Sequence, residues 1–83
     1  MSLDALKTAK KVIGIKQVTK MVSKGLAEKV FVAADADKRV IQPLVDLCSR
    51  QNVVVEEVPT MYELGQSCSI EVGSAAAAIV RPG

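Results

Sequence analysis

Lys16, Lys20 and Lys24 stand four residues apart in the stretch Ile13-Gly14-Ile15-Lys16-Gln17-Val18-Thr19-Lys20-Met21-Val22-Ser23-Lys24-Gly25. On a helix that spacing gathers the three ammonium groups into one stripe. Val18 and Val22, with Met21 nearby, fall on the opposite side, where they can meet a core. A helix that opens at Gly14 also presents free backbone N–H groups and the positive end of its dipole. Gly14 lets an anion approach that end closely, so the whole suits a phosphate backbone. Gln17 places a neutral donor–acceptor head among the lysines, able to read a base edge where an ammonium reads only charge. The competing reading of the same stretch is an ordinary amphipathic helix with solvated lysines.

Other chemistry in the chain is sparse. Asp35 and Asp37 could pair as acid and base, but Asp-x-Asp after an apolar run also suits a helix cap. The chain has no His. It has no Gly-rich phosphate loop followed by Lys-Ser/Thr, and no Cys-x-x-Cys. Ser67 or Cys68 as a nucleophile would lack a base, since Glu63 and Glu71 are poor ones. Cys48 and Cys68 alone cannot complete a four-ligand zinc site and read as buried, reduced thiols. Neither an enzyme nor a cofactor or metal is expected.

The 83 residues suit a single domain, residues 1–83, with a modest core. Apolar residues make up 49% and charged ones 24%, which indicates a folded chain. Phe31 and Tyr62 are the only aromatic side chains, so the core must be aliphatic and base stacking on a ring platform is disfavoured. The net charge of +2 conceals an asymmetry: residues 1–29 hold seven lysines against two acids, and the remainder holds four cations against seven acids. That polarity suggests one positive face for an anionic partner. No stretch reads as a signal peptide or membrane span, and a cytoplasmic protein is expected.

These groups need elements to hold them. Ser2 can cap a first helix from Leu3 to about Val12, and Val12-Ile13 is an extended bridge into Gly14. The basic helix stops at Gly25. Lys29 to Ala34 is a β-branched run of strand length, buried on both faces. A helix from about Arg39 to Gln51 follows, with Pro43 in its first turn and Ile41, Leu44, Val45 and Cys48 turned inward. Val53 to Val58 is a strand. Thr60-Met61-Tyr62-Glu63 is a capping box opening a short helix through Leu64. After a loop of small residues, Ala75 to Val80 is the last strand, although polyalanine favours helix. This alternation predicts an α/β fold: a three-layer α-β-α sandwich around a small mixed four-stranded sheet.

Four motifs recur in register: Gly14-x-Lys16-Gln17-x-x-Lys20, Val30-x-Val32-Ala33-Ala34-Asp35-Ala36-Asp37, Leu47-Cys48, and Leu64-Gly65-x-x-Cys68-x-Ile70. In these the chain resembles the kink-turn-binding ribosomal proteins, the archaeal ribosomal protein L-seven-Ae family, and most closely its small bacterial YbxF-type members. The resemblance spans essentially the whole chain and implies the same sandwich. It also implies binding to kink-turns, sharply bent RNA helices built on tandem sheared G·A pairs. By that resemblance Gly14, Lys16, Gln17 and Lys20 enter the widened groove, Gln17 meeting the guanine edges and Lys20 a guanine edge or phosphate. Lys24 extends the cationic stripe. Asp37 and Ile41 match positions that line a pocket for a looped-out nucleotide. Ile70, Glu71 and Val72 match the loop that covers the bulge. The chain departs from relatives at Lys16-Gln17, where many have Asn-Glu, at Lys38 for Pro, at Ser69 for Gly, and at Met61 where some have Lys. The implied partner is structured RNA containing a kink-turn, in a ribosomal or regulatory setting, bound by a protein that is monomeric when free and has no membrane contact. The alternative is an adaptor on the same fold that binds a protein through the apolar loop around Ile70.

Overall fold

Residues 27–33 carry a dense apolar run, and the strand they form is the one against which the other layers pack. The structure, a computed structural model, describes residues 10–68, 70 and 72–80. In chain order its elements are β1 (Lys11–Ile13), α1 (Ile15–Ser23), β2 (Ala27–Ala33), α2 (Lys38–Gln51), β3 (Val54–Val58), α3 (Met61–Ser67) and β4 (Ala76–Val80). The sheet runs β1-β4-β2-β3, with β4 antiparallel to both β1 and β2, and β2 parallel to β3. A single-residue irregularity at Glu28 lets Ala27 pair with Val80 while Lys29 pairs with Ile79. Helices α1 and α2 pack on each other and on the sheet, and α3 lies against β2, β3 and β4. The expected mixed four-stranded α/β sandwich is therefore the fold.

Burial follows from that layering. Both faces of β2 are covered, so Val30, Phe31, Val32 and Ala33 are all buried. From α1 the core takes Val18 and Val22, from α2 Ile41, Leu44 and Cys48, and from α3 Leu64. Ala76, Ala77 and Ala78 are completely buried in a strand, against their helical propensity. As an inner strand paired on both sides, β4 gains a full ladder of hydrogen bonds, and methyl side chains let the helix layers come close.

Two helices stop by the same device. At the end of α1, Gly25 (φ +73°) donates to the Val22 carbonyl at 3.0 Å and Leu26 to that of Met21 at 3.0 Å. At the end of α2, Asn52 (φ +59°) donates to Ser49 at 3.3 Å and Val53 to Cys48 at 2.9 Å. Both are the paired reverse bonds of a Schellman motif, which needs a left-handed residue.

Some boundaries differ from those expected. Most of the first expected helix lies outside the described residues; Lys11 and Val12, assigned to its end, are instead in β1, paired with Ile79 and Ala78. Helix α3 continues past Leu64 to Ser67, where the Ser67 Oγ donates to the Glu63 carbonyl at 3.0 Å and the Cys68 N–H to that of Leu64 at 3.1 Å. Pro43 lies in the second turn of α2, since Asp37 caps the helix and Lys38 begins it. The missing proline N–H costs the helix one bond, to the Arg39 carbonyl, on an exposed face.

Candidate nucleic-acid interface

The strand directions bring the C-terminal ends of β1, β2 and β3 and the start of β4 to one end of the sheet. Gly14 donates to the Ala76 carbonyl at 2.9 Å, Ala33 to Ala75 at 2.9 Å, and Ala34 to Val58 at 2.7 Å. All three helices among the described residues begin at this end, so three sets of first-turn N–H groups and three positive dipole ends converge there.

The three N-termini are not equivalent. Asp37 caps α2 by accepting the Arg39 backbone N–H at 2.9 Å. Thr60 caps α3 by accepting the Glu63 N–H at 3.0 Å. At α1 the cap residue is Gly14, with no side-chain cap and no acid in the first turn. Gly14 has φ +99° and ψ +151°, a region essentially reserved for glycine. A Cβ there would meet nothing within 4 Å, so glycine is required by the backbone and the space beside it is open. Lys16, Gln17 and Lys20 are exposed beside this uncapped turn, while Val18 and Val22 are buried. The amphipathic division expected of α1 is thus realised.

Lys24 occupies the C-cap of α1, about 15 Å from Gly14 along the axis. It extends the stripe but is not gathered at the convergent end. Lys29 is withdrawn from the cationic set: its Nζ lies 2.7 Å from Glu56 Oε1 and 5.2 Å from the Phe31 ring centroid.

The remaining expected site residues divide. Asp37 is exposed, and the Arg39 guanidinium, 3.2 Å from its Oδ2, together with the Arg39 N–H, holds its carboxyl below the ordinary range. Ile41 is buried in the core, one turn along α2 from Asp37. Ile70 is half-buried against the core, and Val72 is 71% exposed. Glu71 and Ser69 lie outside the described residues. Asp35 and Asp37 do not form an acid–base pair; each is engaged in holding a helix start, Asp37 at α2 and Asp35 at α3.

Two positioning features were not apparent as such from sequence. Asp35 Oδ1 accepts the Met61 backbone N–H at 2.8 Å, joining the β2 exit to the start of α3. Gly65 has no room for a side chain: a Cβ would run into the Val72 carbonyl oxygen and stand 3.1 Å from Gly73 Cα. Ile70 donates to the Gly65 carbonyl and Ser74 to that of Met61, both at 3.1 Å, so Ile70 and Ser74 are each pinned to α3. The Leu64-Gly65 motif carried that signal, though not its meaning.

Burial pushes both thiols, Cys48 and Cys68, up from their ordinary value, with the Lys11 charge pulling Cys68 partly back. They are buried and free. Among the described residues, no three His, Cys, Asp or Glu side chains are grouped to hold a metal ion, and no helix is long and apolar enough to cross a membrane.

This arrangement has known counterparts. The chain is 42% identical to RNA-binding protein YbxF of Geobacillus stearothermophilus, covering 92% of this chain and 93% of that protein. It is 36% identical to large ribosomal subunit protein eL8 of Haloquadratum walsbyi, over 99% of this chain and 72% of that one. The 15.5kD RNA binding protein of Giardia lamblia superposes with a TM-score of 0.89 at 28% identity, covering 98% of this chain and 72% of that chain. A sequence model of the ribosomal protein L7Ae/L30e/S12e/Gadd45 family matches residues 2–83, and with these relatives across nearly its whole length the chain belongs to that family.

Proposed function

We propose that this protein is a non-enzymatic RNA-binding protein that captures the bent form of kink-turn RNA. One observation carries the reading: the only helix start at the convergent end without a capping side chain, among the described residues, is the one flanked by Lys16, Gln17 and Lys20. Its first-turn N–H groups, dipole and ammonium groups all favour an anion. The names of the relatives, an RNA-binding protein and a ribosomal protein among them, support RNA as that anion.

In this reading the lysines neutralise phosphates crowded together by the bend. Gln17 tests the sheared G·A edges with an amide that both donates and accepts. Ile70 and Val72, with Glu71 between them, cover the bulged nucleotides, and Asp37 and Ile41 flank a looped-out one. The RNA samples its bent form on its own, and the protein selects that form by differential affinity. About three phosphate contacts give a log–log salt slope near −3. A cytoplasmic, ribosome-associated setting fits this activity.

A gel-shift titration on two RNAs tests it. One is a standard kink-turn; the other has both sheared pairs replaced by Watson–Crick pairs. Tight binding to the first alone is expected. Equal binding to both reduces the site to a basic patch, and binding to neither favours an adaptor that docks a protein through Ile70 and Val72, with little salt dependence.

A further inference from the structure

From the contacts of the β2–α2 turn we infer that Asp35 is a positioning residue for RNA selectivity, setting the segment Val72–Ser74 against the N-terminus of α1. This rests on the function proposed above and concerns a residue that itself need not touch RNA.

Asp35 does not cap the helix it precedes, because Asp37 does. Its carboxylate instead reaches across to Met61, 26 residues on in the chain. Met61 is the first residue of α3, so its N–H has no partner inside the helix and must find one elsewhere. The other face of the same residue holds the loop: the Met61 carbonyl accepts the Ser74 N–H at 3.1 Å, and Gly73 packs against Met61 so closely that a Cβ would stand 3.1 Å from Met61 Cβ. One residue, Met61, therefore couples Asp35 to the exit of the loop. The entry of the loop is fixed to the same helix through Ile70 and Gly65.

The loop thus rides on α3 at both ends, and Asp35 ties the first turn of α3 to the β2 exit. Its neighbours on the sheet place the β2 exit in turn against α1: Ala33 bonds Ala75, and Gly14 bonds Ala76. With the carboxylate removed, the first turn of α3 loses its side-chain bond to the β2 exit, and Ser74, whose Oγ donates to the Ala76 carbonyl at 2.7 Å, alone ties the loop exit to the frame by a side chain. The lysine stripe and the α1 N-terminus keep their places.

The two roles open to Asp35 predict opposite signs. As a mere negative charge near bound phosphate it opposes binding, and removing it tightens the complex. As a positioning acceptor it favours binding, and removing it weakens the complex for RNAs whose bulge the loop must cover. Asp35→Asn separates them, because the amide oxygen still accepts from Met61 while the charge is gone. Asp35 is exposed, so neither replacement opens a cavity.

The experiment titrates wild type, Asp35→Ala and Asp35→Asn with the kink-turn RNA and with its Watson–Crick counterpart. It also follows amide hydrogen exchange at Ser74 in the free proteins. Asp35→Ala is expected to bind the kink-turn about tenfold or more weakly, the scale of a lost charge-assisted hydrogen bond, with duplex binding unchanged and faster exchange at Ser74. Asp35→Asn is expected to stay close to wild type. Equal or tighter kink-turn binding by Asp35→Ala, or an Asp35→Asn as weak as Asp35→Ala, overturns the inference. If wild type shows no preference for the kink-turn, the proposed function fails, and Ser74 exchange still decides the positioning: faster in Asp35→Ala upholds it, unchanged overturns it.

Discussion

Replacing Gly65 by Ala sets two physical effects against each other, and the structure says which wins. Gly65 lies inside α3, where exchanging Gly for Ala ordinarily stabilises by about 1 kcal/mol. Here the added methyl group would overlap the Val72 carbonyl oxygen and crowd the Val72 carbonyl carbon and Gly73 Cα, both 3.1 Å away. These are backbone atoms, so no rotamer change relieves the overlap. Val72 and Gly73 must withdraw by about 1 Å to restore ordinary contact. Doing so strains the Ile70–Gly65 and Ser74–Met61 hydrogen bonds, 3.1 Å each. Overpacking of this kind costs about 1–3 kcal/mol. Because backbone meets backbone, the upper half of that range applies, and the net loss after the helical gain is about 1–2 kcal/mol. For a domain of this size it lowers Tm by roughly 5–15 °C. Thermal unfolding followed by circular dichroism measures this directly, with Gln66→Ala on the exposed side of the same helix as the control. On the function proposed above, kink-turn affinity, measured in parallel, falls as well. A Tm for Gly65→Ala at or above wild type refutes the reasoning, since propensity would then have prevailed over the close approach.

Further outcomes follow from the same structure. Gly14→Ala strains a glycine-only conformation at a cost of about 1–3 kcal/mol and puts a methyl group into the open space at the α1 N-terminus, so it weakens both stability and RNA binding. Gly25→Ala, at the far end of α1 with φ +73°, costs about 1 kcal/mol of stability with RNA affinity unchanged; chemical denaturation and gel shifts on both variants check the contrast. Gln17→Ala weakens kink-turn binding by about 1–3 kcal/mol, while Lys24→Ala chiefly flattens the salt dependence; a Gln17→Ala protein that binds like wild type refutes the base-reading assignment. Arg39 depresses the Asp37 carboxyl, so its stabilisation is present above the unfolded pKa and lost as pH falls through the folded one. The stability gap between wild type and Asp37→Ala is therefore open at neutral pH and closes below about pH 4, as urea titrations across that range measure. Cys48 and Cys68, buried with raised pKa values, resist iodoacetamide in the folded protein and react on unfolding, which mass spectrometry of alkylated samples reads.

Local chemistry made much of this protein legible without coordinates. The spacing of Lys16, Lys20 and Lys24 against Val18 and Val22 sufficed for the division of α1, because helical periodicity depends only on neighbours in the chain. Gly25 marked the end of that helix, and the Asp35-Ala36-Asp37 run and Thr60 marked the starts of the next two for the same reason, with the choice of Asp37 over Asp35 made by the structure. The alternation of apolar runs and helical stripes sufficed for the layered fold. What tertiary structure alone decided was which distant groups meet. The strand at Ala76–Ala78 was expected from sequence, but its place between β1 and β2, where hydrogen bonds on both sides outweigh helical preference, came only from the sheet order. Lys29 left the cationic face because β3 placed Glu56 beside it. Asp35 found Met61, 26 residues on, across a separation that no local pattern encodes. A hydrogen bond or a steric limit between residues far apart in sequence exists only once the sheet order has brought them together.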